Sequence, residues 1–210
     1  DGVEAKELLP LLSAEEQYTY GCKAGEILLK MQTLDTYPPS SDWENFFSNK
    51  IKNYIEVYKK CGKTFKGYDE IIAFINTNSH SMNNRPRYFL HEDFQSDNMV
   101  ISLNKELFVI DFQQCGFVDP YYALMSAMVT AEVSPSFASG QIKTYFNNNI
   151  PDDFWILNAF YMFAETINVF AVACSLGEEE LDYSYRMIDY MLEWFDNLNN
   201  VVPSWFDYND

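Results

Sequence analysis

A change of hydrophobic period between residues 85 and 120 constrains this chain more than any other feature. Upstream of it, apolar residues recur at helical spacing. Tyr20, Ala24, Ile27, Leu28 and Met31 form one stripe, Trp43, Phe47, Ile51, Tyr54, Ile55 and Tyr58 a second, and Ile71, Ile72 and Ile75 a third, around Tyr68 to Asn78. Arg85-Pro86 then interrupts helix, and RYFLH, NMVIS and LFVIDF carry the β-branched and aromatic residues of short strands. After Asp119-Pro120 the helical pattern resumes, over roughly 120–131, 135–147, 152–175 and 178–197. This order predicts an α+β chain, mostly helical, forming one unit with a minor sheet embedded in it.

Local signals mark the helix ends. Ser13 with Glu16 and Ser41 with Glu44 are capping boxes, and Gly62 is a stop for the second helix. Gly21 and Gly25 sit four apart on the first helix, where the missing side chains allow another backbone to come close.

The formal charge of −17 repels nucleic acid and anionic membranes and concentrates cationic ligands. Four cysteines with no CxxC spacing, and only two histidines, argue against zinc sites and a disulfide framework. Free thiols and the lack of a visible signal peptide predict a cytoplasmic protein. No apolar run is expected to reach membrane-spanning length, because Asn158, Glu165 and Asn168 interrupt the most apolar helix.

Chemistry concentrates in HEDFQSDN, residues 91–98, and in Asp111 beyond it. A hairpin centred on Asn104-Lys105 pairs Ile101 with Phe108, Val100 with Val109 and Met99 with Ile110, and it puts Asn98 opposite Asp111 at its open end. An amide oxygen and a carboxylate so opposed can share magnesium, which takes oxygen ligands at about 2.0–2.1 Å. Asp93, in the loop before the hairpin, can accept a hydrogen bond from a substrate hydroxyl and aim its oxygen at phosphorus. His91 is read as orienting the loop. The alternative is a solvated turn, acidic because exposed. Against it, Asp111 follows the apolar run LFVI, where a charge needs a cation or donors.

The pattern His91-x-Asp93-x-x-x-x-Asn98, then Asp111-Phe112 and Asp119-Pro120, resembles the catalytic segment of the aminoglycoside phosphotransferase family, which includes choline-kinase-like and other small-molecule kinases. The stretch LLPLLSAEEQYTYGCKAGEILLKMQTL is similar to the first helix of that family's C-terminal lobe. SPSFASGQIKTYFNNNIPDDFW also resembles related bacterial members. The resemblance implies the C-terminal lobe of a protein-kinase-like fold across residues 1–210, with a small β-hairpin carrying the functional residues. It implies Asp93 as catalytic base, Asn98 and Asp111 as Mg2+ ligands, His91 as a structural member of the loop, and Asp119 as the residue shaping the following turn. ATP or GTP would be the phosphate donor and a small-molecule hydroxyl the acceptor, with an aminoglycoside among the candidates.

The chain departs from the family pattern in three places. Glu92 and Val118 stand where glycine is usual, and Ala123 stands where a further Asp usually braces the catalytic segment. A nucleotide-binding lobe with a phosphate-pairing Lys is also expected, and no glycine-rich loop occurs among the eight glycines. The expectation is a longer protein of which this chain is the C-terminal lobe, inactive by itself. A cationic acceptor would be met by Glu165 and Asn168 on the apolar helix and by Asp189 and Glu193 on the last one; the alternatives are a Glu165 satisfied internally by Arg186 or a backbone donor and, for the last pair, a solvated helix face. Two further functional readings stand beside the kinase. One is a metal-dependent phosphohydrolase built on Asp93, Asp97 and Asp111; the other is a degenerate lobe that only binds.

Overall fold

The computed structural model describes residues 1–34, 36–37 and 42–206. In chain order the elements are β1 (Gly2–Glu4), α1 (Ala5–Leu8), α2 (Ala14–Gln32), β2 (Thr36–Tyr37), α3 (Asp42–Cys61), α4 (Tyr68–Asn78), β3 (Arg87–His91), β4 (Met99–Ser102), β5 (Leu107–Val109), β6 (Cys115–Val118), α5 (Pro120–Ala123), α6 (Ser126–Val133), α7 (Pro135–Tyr145), α8 (Phe154–Leu176) and α9 (Glu178–Trp194). The chain is mostly helical with small sheets, as its periodicity predicts. It divides into two compact units, however, where a single one was expected: Asp1–Pro39, Pro86–Phe154 and Trp205–Asp210 form one, and Ser40–Arg85 with Trp155–Ser204 the other. The sheet material is not one patch either. It makes two antiparallel three-stranded sheets, β1-β4-β5 and β2-β3-β6.

In the first unit, Ser13 caps α2 through a complete capping box with Glu16. Tyr20, Ala24, Leu28 and Met31 bury one face of α2, and Ile27 is half-buried. The two glycines of that helix do what their spacing predicts. A Cβ on Gly21 would lie 2.1 Å from the Phe137 carbonyl oxygen, and one on Gly25 would lie 2.6 Å from that of Gln141. Gly140 answers from α7, where a Cβ would lie 2.5 Å from the Tyr18 carbonyl oxygen. Helices α2 and α7 therefore meet backbone to backbone, a contact only residues without side chains permit.

The hairpin β4-β5 forms one residue out of the expected register. Met99 faces Val109, Val100 faces Phe108 and Ile101 faces Leu107, so the pairs Ile101–Phe108, Val100–Val109 and Met99–Ile110 do not form. The loop has three residues, Leu103 to Lys105. It is closed by Lys105 N–H to the Ser102 carbonyl (2.9 Å) and Ser102 N–H to the Glu106 carbonyl (2.9 Å), with Lys105 left-handed at φ 62°. Burial explains why this register wins. Met99, Ile101 and Leu107 turn to the core on one face, while Phe108, 50% exposed, lies on the other beside Val100. A one-residue slip would pair core Ile101 with surface Phe108.

In the second unit, α3 stops at Gly62 in the left-handed conformation (φ 71°) as expected. Trp43, Phe47, Ile51, Tyr54 and Tyr58 are its buried stripe, with Ile55 half-buried. Ser41, of the second expected capping box, lies outside the described residues. Trp43 donates its indole N–H to the Tyr161 hydroxyl (2.8 Å), and the Phe47 and Tyr161 rings meet edge-on at 4.9 Å. Helix α8 has the length that its periodicity predicts. At 23 residues it is long and apolar enough to cross a membrane, which corrects the expectation that no run reaches that length. Its most apolar stretch is 61% buried, with Phe160, Tyr161, Phe163 and Phe170 in the core, as befits the central helix of this unit.

Candidate active site

Three of the expected site residues, His91, Asp93 and Asn98, converge at the end of β3 and the start of β4. His91, fully buried, ends β3. Its Nδ1 accepts the Asp93 backbone N–H (3.1 Å), so the ring hydrogen sits on Nε2 and points to the Ile110 carbonyl (3.1 Å). One side chain thus ties the loop to the backbone just before Asp111.

Asn98 organises the other end of the loop. Its side-chain amide donates to the Asp93 carbonyl (2.9 Å) and to Asp93 Oδ2 (2.8 Å). Both amide hydrogens are then used, and the polar atom Asn98 has left to offer is its oxygen, the atom a hard cation takes. Asp93 and Asn98 are partly buried.

Asp111 sits differently from the expectation. In the observed register Asn98 faces Ile110, whose N–H donates to the Asn98 carbonyl (2.9 Å), and Asp111 follows one residue later. It is left-handed (φ 58°) and exposed, so the chain turns at the acid. The argument that Asp111 ends a buried run is also corrected: Phe108, Ile110 and Phe112 are 50%, 41% and 55% exposed. The set of Asn98 oxygen and Asp111 carboxylate nonetheless fits magnesium. It is all-oxygen, small, and leaves positions for water and phosphate.

Asp119 is fully buried and caps α5, accepting the Tyr121 N–H (2.9 Å). Glu92 stands one residue before Asp93, but its carboxylate lies against the opposite strand, where a Cβ on Gly116 would be 2.5 Å from its Oε1. Burial first, and then the Glu92 charge, push the neighbouring Cys115 thiol upward.

Sequence reasoning missed the outer supports of the loop. Ser96 N–H donates to Thr130 Oγ1 (3.1 Å) and Ser126 Oγ donates to the Glu92 carbonyl (3.5 Å), both from α6. Two hydroxyl residues four apart on α6, whose other residues are apolar except for Glu132, were the available signal. The acidic cluster needed for a phosphohydrolase does not form. Asp97 pairs with Lys6 (2.7 Å), and no three His, Cys, Asp or Glu among the described residues come together to hold a metal.

The acceptor candidates lie in the second unit. Glu165 Oε1 is met by Lys50 Nζ (2.9 Å) and the Tyr54 hydroxyl (2.9 Å). The Lys50 ammonium also lies 5.5 Å and 5.8 Å from the Phe47 and Tyr54 ring centres. Asn168 is half-buried, while Asp189 and Glu193 are exposed on α9 beside the stacked rings of Tyr190 and Trp194 (6.3 Å).

The family model described as phosphotransferase enzyme family matches residues 1–154. Comparison with curated protein sequences finds no match. Among solved structures, the chain is similar to a choline/ethanolamine kinase family protein from Mesorhizobium loti, at 15% identity and TM-score 0.64, covering 90% of this chain and 69% of that one. It is also similar to the choline kinase LicA from Streptococcus pneumoniae (13%, TM-score 0.58, 86% and 66%) and to APH(2")-IIa in complex with gentamicin (18%, TM-score 0.55, 95% and 70%). The chain spans about two thirds of the length of these structures, and at such identities they show a shared protein-kinase-like fold. With the family model matched over residues 1–154, more than half of the chain, and with the His91–Asp93–Asn98 loop within the matched span, this chain belongs to the phosphotransferase enzyme family.

Proposed function

We propose that the chain is the C-terminal lobe of a cytoplasmic small-molecule kinase that transfers the γ-phosphate of ATP or GTP to the hydroxyl of a cationic acceptor. The observation that carries this reading is the double hydrogen bond from Asn98 to Asp93, which couples the proposed metal ligand to the proposed base. Asp93 accepts the hydroxyl proton, with Oδ1 left for it once Oδ2 is held. Asn98 and Asp111 hold Mg2+, whose chemistry when bound is to neutralise phosphate charge. His91 keeps the two segments in place, and positioning is most of what such a transfer asks of a protein. A nucleotide lobe would have somewhere to sit: Val3, Phe108, Ile110 and Phe112, from β1, β5 and the turn after it, are exposed apolar side chains.

The test is acceptor-dependent ADP or GDP release by the intact protein with Mg2+ and a panel of choline, ethanolamine and aminoglycosides. Turnover with at least one amino alcohol is expected; release with none would favour a lobe that only binds. Asn168, Asp189 and Glu193 are the proposed contacts for the cation, and Glu165 is assigned to Lys50 instead. Lys50 already answers the Glu165 charge, so Glu165→Gln is expected to leave the KM of the acceptor within about twofold, by the small worth of an already neutralised group. A tenfold rise would instead place that carboxylate on the acceptor.

A further inference from the structure

The loop that carries Asp93 is closed internally by His91 and Asn98, but those bonds do not fix it to the body of its unit on the helical side. We propose that Ser126 and Thr130, one turn apart on α6, are positioning residues that clamp the loop on both flanks of Asp93. This inference rests on the reading of that loop as the phosphoryl-transfer centre.

Thr130 Oγ1 accepts the Ser96 N–H at 3.1 Å, three residues after Asp93, and Ser126 Oγ donates to the Glu92 carbonyl at 3.5 Å, one residue before it. The site is dry: Ser96, Ser126 and Thr130 are 1%, 3% and 0% exposed. Ser96 opens the short 3-10 turn Ser96–Asn98, and the first N–H of such a turn has no partner within it. Thr130 supplies that partner where water does not reach. Residue 98, the proposed metal ligand, is the last of the same turn, so the clamp acts on base and ligand together.

A hydroxyl on a buried helix has a bland explanation, a back-bond to the carbonyl four residues earlier. Thr130 makes that bond too, donating to the Ser126 carbonyl at 3.4 Å. The back-bond uses the hydroxyl hydrogen and leaves the lone pairs, one of which takes Ser96 N–H, so the bland explanation does not account for the second contact. Ala123, on the preceding helix, has no polar atom to offer at the place where the family resemblance expects a bracing acid. The hydroxyls of α6 supply the brace instead.

The experiment compares Thr130→Val and Thr130→Ser in the intact protein, by steady-state kinetics with ATP and an acceptor that the wild type uses, and by amide hydrogen exchange. Valine keeps the shape and loses the hydroxyl; serine does the reverse. The clamp predicts that Thr130→Val lowers kcat by roughly ten- to a hundredfold with the KM for ATP within about twofold, as misplacement of a reacting group does. It also predicts that the Ser96 amide loses protection, and that Thr130→Ser stays within about threefold of wild type on the same argument. Wild-type kcat and a protected Ser96 amide in Thr130→Val would overturn it, as would damage confined to Thr130→Ser, which would mark a packing role for the methyl group. If Thr130→Val does not fold, Ser126→Ala decides: a fall in kcat in the same direction supports the clamp, and unchanged kcat overturns it. Should the wild type transfer phosphate to no acceptor, the functional reading fails, and Ser96 exchange still decides the clamp.

Discussion

Asp93→Asn in the intact protein is expected to lower kcat for phosphoryl transfer by roughly 10²–10⁴-fold, the range a positioned general base contributes. Nucleotide affinity should stay within about twofold, since nothing in the substitution removes a phosphate contact. The variant is a sharp one because the loop survives it. Asparagine is isosteric with aspartate and keeps a side-chain oxygen, so the Asn98 amide retains an acceptor in place of Asp93 Oδ2, and the bond from Asn98 to the residue 93 carbonyl is untouched. His91 still receives the backbone N–H of residue 93. What disappears is the group's ability to take a proton. Measured kcat within threefold of wild type would remove Asp93 from the role of base.

Gly21→Ala is expected to be among the most damaging single changes to stability. Helix propensity alone predicts the opposite, a gain of about 1 kcal/mol for alanine over glycine in a helix interior. Sterics decide against it. The added methyl would sit 2.1 Å from the Phe137 carbonyl oxygen, with the Phe137 carbonyl carbon and Cα also within 3 Å. All three are backbone atoms of α7, which cannot rotate away as a side-chain tip can. Overpacking typically costs 1–3 kcal/mol and occasionally more, and here α2 and α7 would have to separate, so a loss of about 3 kcal/mol or above is expected. For a chain of this size that is roughly 6–12 °C in Tm. Thermal unfolding of Gly21→Ala beside Glu26→Ala, an exposed position on the same helix, makes the measurement. A Gly21→Ala protein as stable as wild type would contradict the backbone contact.

How much of this was legible in the sequence depended on how local each feature is. The Ser13–Glu16 capping box, the Gly62 stop and the Gly21/Gly25 pair follow from residues a few positions apart, and the structure carries all three. The His91 and Asp119 hydrogen bonds, each to the N–H two residues on, are equally local. The hairpin register was not. Leu103-Asn104-Lys105 has no glycine to announce a left-handed third residue, and the register was settled by which faces of β4 and β5 find the core. Strands β1 and β6, three and four residues long, form because β4 and β3 offer them edges, not because their own composition demands it. Long-range partners were the hardest. Nothing near Asp97 points to Lys6, and nothing near Glu165 points to Lys50, so the sequence left an acid cluster and an open carboxylate among its readings where the fold makes ion pairs.

The central claim is that Asn98 and Asp111 hold one divalent ion beside Asp93. Its most direct test is Mn2+ binding to the intact protein with a non-hydrolysable nucleotide, followed by electron paramagnetic resonance in wild type, Asn98→Ala and Asp111→Ala. The account predicts one nucleotide-dependent Mn2+ whose affinity falls at least tenfold, about 1.4 kcal/mol, in each variant. Wild-type Mn2+ affinity in both variants would contradict it.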